Sequence, residues 1–415
     1  MVKSNSFKIK YLPMIYVLVM ASLTWTFLYH FPFFNRSWLW LLIGCIVSYF
    51  VITGYYNSKS FKYVFIYSLL VVLNVLLDDS YFNSLPLAMS EIAGLILVSS
   101  EVSFFLLNQN NKYYSILLFV FFSIIVITAY LSYQIDTIWP GAIREVTVTG
   151  FGGDNTVVSQ YYAMGMGSYA MSHALPVIIP PLIMGIKYSA KKWFSKLGCI
   201  FCLVAVIVYI YLGSASGALI IGMMSLVLSI FVKPGSLGTN ISRIIVITIL
   251  FLLFLNQDFL LFVLDWFESF IGGEGAYQVK VDEFRMLITT GEQGDDINAR
   301  LNLYSDSWSD FLVNFVWGTN GEIGGHSAII DRFATLGIIG IVPFLIFMFK
   351  QLHLPTKFID NNYLVYYYIG TFSGLLMLMT KNMGNWEMWL CLFLILPLLM
   401  ARMQPRSNKN TPDSK

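Results

Sequence analysis

Arginines and a histidine near one glycine-rich run are the residues of this sequence best suited to chemistry on an anion. Arg300 precedes the run and His326 ends it. Arginine's planar, permanently charged fork suits phosphate and carboxylate. A histidine side chain, with an ordinary pKa of about 6.5, accepts a proton at neutral pH. Glycines let a ligand approach the main chain; those of the run are Gly318, Gly321, Gly324 and Gly325. The pattern predicts an anion site with His326 as general base.

Each of these residues also has a plainer interpretation. Arg144, Arg285 and Arg300 all lie in segments with acidic residues that could pair with them. A lone histidine at the start of a helix is often structural or merely exposed. The chemical and the structural interpretation both stay open at this stage.

A metal site is the rival way of handling phosphate. The sequence has two Asp-Asp pairs, Asp78-Asp79 and Asp295-Asp296, but neither has a third ligand at a useful spacing. Asp295 or Asp296 is instead well placed to cap a helix. We therefore expect no metal and no cofactor.

The elements that must position these residues are membrane helices. Hydrophobic residues make up 57% of the chain and charged residues only 12%, which excludes an ordinary soluble domain. Because a spanning helix needs about 20 apolar residues, the sequence predicts an all-α, polytopic membrane protein of about twelve spans forming a single integral domain. The predicted spans lie near residues 11–30, 37–55, 63–78, 85–107, 114–133, 161–186, 196–212, 214–232, 243–264, 331–349, 362–380 and 385–401.

The positions of the basic residues predict the orientation of these spans. If the N-terminus is cytoplasmic, 18 of the 25 Lys and Arg residues fall on the inner side, as the positive-inside rule favours. The seven that fall outside are Arg36, Arg144, Lys280, Arg285, Arg300, Arg332 and Lys381. We expect a plasma-membrane protein with both termini in the cytoplasm. A net charge of +2 gives no reason to expect a nucleic-acid partner.

Two long connections, residues 134–160 and 265–330, fall on the predicted outer face. Long loops on a rigid scaffold commonly carry function. In the second loop, apolar residues recur every three or four positions, which predicts an amphipathic helix lying along the membrane surface with Arg300 at its start. Those apolar residues are Leu301, Tyr304, Trp308, Phe311 and Phe315.

Taken together, these residues resemble the signature of the O-antigen polymerase and ligase superfamily of membrane glycosyltransferases. That family's pattern reads Arg, Trp, a Gly-rich turn, His-Asn and Gly-x-x-Gly. This chain has Arg300, Trp308, Trp317-Gly-x-x-Gly, His326-Ser and Leu336-Gly-x-x-Gly340. An earlier run, Arg144 with Gly150-Phe-Gly-Gly-Asp-Asn155, is similar to the family's other loop motif.

The resemblance implies a polymerase of a surface polysaccharide such as O-antigen, capsule or exopolysaccharide. The growing glycan would pass from its isoprenoid diphosphate lipid to the next lipid-linked repeat unit, outside the plasma membrane. His326 and Arg300 would be catalytic, and the bilayer and a chain-length regulator protein would be further partners. The residues implied in substrate and diphosphate binding are Arg144, Arg285, Asn155, Gly318, Gly321 and Trp308.

The chain departs from the family pattern at three places. Ser327 replaces the usual Asn, and Thr335 replaces an acidic residue. Ser214-Ala215-Ser216-Gly217 occupies the place where relatives often carry Ser-Arg. The lost arginine removes one implied phosphate contact, which Arg285 could supply.

Two other functions remain as alternatives. A ligase that moves finished glycan to another acceptor would use the same chemistry. A flippase for lipid-linked sugars would use ionisable residues within a span, such as Glu91 and Glu101. The long outer loop favours an enzyme over a flippase.

Overall fold

A computed structural model describes the chain between residues 61 and 404 with interruptions. The described residues are 61–77, 92, 94–96, 111–139, 141–143, 160–161, 164–188, 193–213, 215–235, 238–245, 257–271, 276–290, 295–319, 325–381 and 386–404. The predicted spans at 11–30 and 37–55 lie outside these residues, as does most of the span predicted at 85–107.

The described part of the chain is helical and contains no strand. Its first elements are α1 (Phe61–Leu77), α2 (Asn111–Ile138), α3 (Tyr169–Ala174), α4 (Ile179–Tyr188), α5 (Trp193–Leu212) and α6 (Ser216–Phe231). The later ones are α7 (Gln257–Ile271), α8 (Ala276–Thr290), α9 (Asp295–Val313), α10 (Ile330–His353), α11 (Leu364–Thr380), α12 (Trp386–Trp389) and α13 (Leu396–Met403). Residues 238–245 are also helical.

Five of these stretches are long and apolar enough to cross a membrane, which indicates a membrane protein. They are Ser115–Ile138, Tyr169–Tyr188, Ile330–Lys357, Asn361–Thr380 and Trp386–Met403. Three shorter apolar helices, Lys62–Leu73, Lys196–Leu212 and Ser216–Phe231, accompany them. Each lies close to a predicted span. Of the predicted ninth span, 243–264, residues 246–256 lie outside the described residues, and α7 (Gln257–Ile271) covers its last residues.

Proline and serine shape the start of the sixth predicted span. The hydroxyl of Ser168 accepts a hydrogen bond from the backbone N–H of Met171 (3.1 Å) and so caps α3. Pro176 lies in a 3₁₀ turn, Leu175–Ile178, that joins α3 to α4. A proline has no N–H to continue the helical ladder, which accounts for this tighter turn inside the span. The described span, Tyr169–Tyr188, begins at Tyr169 rather than at 161 because Ser168 caps α3 there.

The core of the bundle is aromatic as well as aliphatic. Trp389 is fully buried, 5.6 Å from the ring of Phe393 and 6.0 Å from that of Phe344 between ring centroids. These contacts join α10 to the last span, where the helix widens into a π-helical stretch at Leu390–Ile395. The central helices thus form a rigid support for the segments that enter and leave them.

Candidate functional site

The amphipathic helix predicted in the second long loop is present as α9, but it starts earlier and is rotated. It begins at Asp295, so Arg300 lies in its second turn and not at its start. Its inward face carries Tyr304, Ser307 and Phe311, of which Ser307 is fully buried and Phe311 is 4% exposed. The predicted apolar stripe was displaced because Ser307 has a polar partner inside. Leu301, Trp308 and Phe315 remain about half exposed.

That polar partner is Asp331, at the beginning of α10. The Ser307 hydroxyl donates to one oxygen of Asp331 (2.8 Å), and the backbone N–H of Ser327 donates to the other (3.0 Å). The Ser327 hydroxyl in turn accepts from the backbone N–H of Ile330 (3.1 Å), the first residue of α10. The segment that carries His326 is therefore tied to both α9 and α10.

His326 lies beside the inward face of α9. Its ring centroid is 6.1 Å from that of Tyr304, and its Nε2 atom is buried. Tyr304 donates a hydrogen bond to the backbone carbonyl of Thr380 (2.7 Å). Burial raises the pKa of Tyr304, an effect that the nearby charge of Arg300 opposes. Arg300, Tyr304 and His326 thus lie together where α9 meets the end of α11.

Lys381 joins this cluster from the end of α11, and the sequence analysis did not select it. Its backbone carbonyl accepts from the N–H of Ala328 (3.0 Å), which places it beside the His326 segment. A Cβ added at Gly217 would lie 3.7 Å from Cε of Lys381. The Lys381 side chain therefore reaches Gly217, at the start of α6, which belongs to the stretch where the family pattern led us to expect an arginine. The one sequence feature that could have identified Lys381 is that it is among the seven basic residues predicted to lie on the outer side.

Two glycines of the signature contact each other's backbone. Gly318 and Gly337 have φ angles of 82° and 57°, which L side chains rarely adopt. A Cβ on Gly318 would overlap the carbonyl oxygen of Thr335, and one on Gly337 would overlap that of Val316. The close approach at Gly318 is thus to the protein's own chain, and its assigned role in substrate binding remains a prediction.

Arg285 lies apart from this cluster, on a pair of exposed helices. Its guanidinium donates to Asp265 on α7 (2.7 Å) and to Glu268 (2.6 Å). The hydrogen bonds from Arg285 and Gln278 lower the pKa of Glu268. For Arg285 the structure therefore supplies the carboxylate pairing that the plainer interpretation expected. Lys381, and not Arg285, is the cation that the structure brings to Gly217.

The remaining predicted site residues divide into two groups. Arg144, Asn155 and Gly321 lie outside the described residues. Trp308 lies on α9 at 46% exposure, with its ring centroid 5.3 Å from that of Phe311. Its exposed face is available to a ligand or to lipid.

Among the described residues, no three His, Cys, Asp or Glu side chains come together as a metal site. The cluster holds two cations, Arg300 and Lys381, the imidazole of His326 and the Tyr304 hydroxyl, next to the buried carboxylate of Asp331. Such a set can hold an oxyanion and accept a proton. No family model matches this sequence, and no curated protein matches it either.

Proposed function

We propose that this protein polymerises a surface polysaccharide at the outer face of the plasma membrane. It would span the membrane about twelve times with both termini in the cytoplasm. The growing glycan would move from its isoprenoid diphosphate lipid onto the next lipid-linked repeat unit. The resemblance described above suggests this reaction.

The observation that supports the proposal best is the meeting of two cations and a histidine at one end of the bundle. Arg300 comes from α9, Lys381 from the end of α11, and His326 from the segment before α10. They are far apart in sequence, so only the fold unites them. They lie next to helices long enough to span a membrane, where a lipid substrate would arrive from the bilayer.

The roles of these groups follow from the charges that change in the reaction. A neutral His326 imidazole takes the proton of the acceptor sugar's hydroxyl while that oxygen bonds to the donor's anomeric carbon. The bond from that carbon to the diphosphate breaks, and its electron pair leaves with the lipid diphosphate. Arg300 and Lys381 stabilise the developing negative charge. No sugar nucleotide is required, because the diphosphate lipid is the activated donor.

The decisive experiment compares two histidines at opposite ends of α10: His326, shortly before its first residue, and His353, its last residue. His326→Ala removes the proposed base, and a positioned base typically contributes about 10²- to 10⁴-fold in rate. His353→Ala changes a histidine in the last turn of the same helix, stacked on Phe349. In the producing strain, we expect the His326 variant to accumulate single repeat units on lipid and the His353 variant to make normal polymer.

Other glycan profiles would identify the alternatives. Single units retained on the cytoplasmic leaflet would indicate a flippase. Long polymer that stays on lipid would indicate a ligase. Normal chain lengths in the His326 variant, at matched membrane expression, would remove His326 from the mechanism.

A further inference from the structure

His173, in the first span-forming turn after Ser168, belongs to the same end of the bundle as Arg300. It lies on α3 and is fully buried. The charges of Lys381 and Arg300 both act on its ring. No local sequence pattern singles out His173, because the charged residues that act on it come from α9 and from the end of α11.

One edge of the His173 ring has a fixed partner. Nδ1 lies 3.0 Å from the backbone carbonyl oxygen of Tyr169, one helical turn earlier. A carbonyl oxygen only accepts, so Nδ1 carries the hydrogen, and a neutral ring then has an unprotonated Nε2. The Tyr169 ring packs edge-on against the imidazole, with centroids 4.4 Å apart. The tautomer and the ring position are thus both set by Tyr169.

The opposite edge of the ring is the unusual one. In the part of the chain that the structure describes, no group donates a hydrogen bond to Nε2 of His173, although this atom is fully buried. A buried acceptor without a donor costs about 1–3 kcal/mol. Buried polar atoms nearly always have partners, so an exception calls for an explanation.

The cations at this end of the bundle indicate what that partner is. Ser172, next to His173, lies against Gly213. Lys381 reaches Gly217, four residues further on. Arg300 and Lys381 attract a phosphate, but deprotonated phosphate oxygens carry lone pairs and cannot donate to Nε2. A hydroxyl or amide group of a sugar can. On the proposed substrate, such a donor lies on the sugar bonded to the diphosphate.

Building on the proposed function, we infer that Nε2 of His173 accepts a hydrogen bond from an O–H or N–H group of the sugar next to the lipid diphosphate. His173 is then a specificity-determining residue for the lipid-linked donor. Arg300 and Lys381 hold the diphosphate, and His173 recognises the first sugar. A lipid diphosphate without sugar has no group for this contact.

A matched pair of substitutions separates the two edges of the ring. His173→Gln places an amide oxygen near the position of Nε2 but loses the donor to Tyr169. His173→Asn keeps a donor near the position of Nδ1 and removes the acceptor. The assay is elongation by the purified full chain, with lipid-linked repeat units extracted from a strain that lacks this protein. We expect KM to rise roughly 10-fold in the Asn variant, about one net hydrogen bond, and less than about 3-fold in the Gln variant.

A binding measurement with undecaprenyl diphosphate provides the control for folding. Both His173 variants should bind this sugar-free lipid as wild type does, whereas Arg300→Ala should weaken its binding. A direct readout uses protein labelled with ¹⁵N-histidine, because the chain has only four histidines. The Nε2 resonance of His173 should shift on adding the repeat-unit lipid and stay unchanged with undecaprenyl diphosphate.

Several outcomes would overturn the inference. Wild-type KM in the Asn variant, or an unshifted Nε2 resonance with the repeat-unit lipid, would do so. If elongation is impaired in the Gln variant alone, His173 has a structural role through Tyr169. If elongation is impaired equally in both variants, His173 transfers a proton and does not merely accept a hydrogen bond. If Arg300→Ala and His326→Ala also elongate normally, the proposed function itself fails.

Discussion

Three arginines of this chain hold their charge in three different surroundings. Arg285 is partly exposed and pairs with carboxylates, in a setting where ion pairs add little stability. Arg300 is half-buried on α9, beside Tyr304. Arg332 is 2% exposed, and its guanidinium lies over the rings of Phe344 (5.4 Å) and Trp389 (5.9 Å). Positive charge alone could not show which of the three arginines belongs to the candidate site.

Arg332 has a structural task next to the candidate site. Its Nη1 donates to the carbonyl of Ala328, and its Nε donates to the hydroxyl of Tyr67 on α1 (3.1 Å). Its neighbour Asp331 binds Ser327. This adjacent pair of charged residues therefore fixes the segment that carries His326, and it joins that segment to α1.

Removal of the Tyr67 hydroxyl should loosen this arrangement. Tyr67→Phe leaves the buried Nε of Arg332 without that acceptor, which should destabilise the protein by about 1–3 kcal/mol. Tyr63→Phe, on the same helix, is the matched control, because it keeps the ring that Lys350 lies over (5.5 Å). Thermal unfolding in detergent, monitored by the loss of the size-exclusion peak, should show a lower midpoint temperature for Tyr67→Phe only. Equal midpoints would mean that Arg332 does not depend on Tyr67.

At the scale of elements, the junction between α9 and α10 explains the first glycine of each Gly-x-x-Gly motif, Gly318 and Gly337. Gly337 breaks α10 with φ 57° and ψ −167°. The break leaves helical N–H and C=O groups that need partners. The N–H of Ile338 donates to Phe315 O (2.8 Å), and Ala334 O accepts from the N–H of Thr319 (2.7 Å). The segment that follows α9 thus completes the hydrogen bonding of a broken helix.

Gly337→Ala should disrupt this junction. Alanine at these dihedral angles costs on the order of 1–3 kcal/mol, and its Cβ would also overlap the carbonyl oxygen of Val316. Gly198→Ala, on α5, is the control, since nothing lies within 4 Å of a Cβ there. We expect the Gly337 variant to unfold at a lower temperature and to lose glycan elongation, while the Gly198 variant keeps both. Full activity in the Gly337 variant would show that the break in α10 is dispensable.

The sequence predicted elements better than it predicted neighbours. The lengths of the apolar segments predicted helices near α2, α10 and α11, because a helix that spans the bilayer needs apolar residues along its whole length. On the inward face of α9, Tyr304 and Phe311 belong to the predicted stripe, but Ser307 was missed because a hydrogen bond to Asp331, not hydrophobicity, accounts for its burial. Lys381 and His173 were missed because their partners are distant in sequence. The part of the candidate site that was missed therefore depends on contacts that no local pattern encodes.

On the scale of the whole molecule, the polar contacts cluster at two opposite ends of the helical bundle. At one end lie the candidate site and the junction of α9 with α10. At the other, the Lys187 amine caps the end of α6 by donating to Ile230 O (2.6 Å) and Val232 O (3.0 Å). Tyr366 also donates to Val232 O (2.9 Å). The positive-inside rule assigns Lys187 to the cytoplasm, and the candidate site would then face outward.

Labelling with an impermeant thiol reagent tests this orientation. Asp306→Cys lies on α9 at the site end, and Lys233→Cys follows α6 at the other end; both positions are exposed. In intact spheroplasts we expect labelling at position 306 and none at 233, which should react only after permeabilisation. The wild-type protein, with its four cysteines, gives the background. The reverse pattern would place Arg300, Lys381 and His326 in the cytoplasm. Polymerisation on the outer face would then be impossible at this site, and a reaction on the cytoplasmic leaflet would have to replace it.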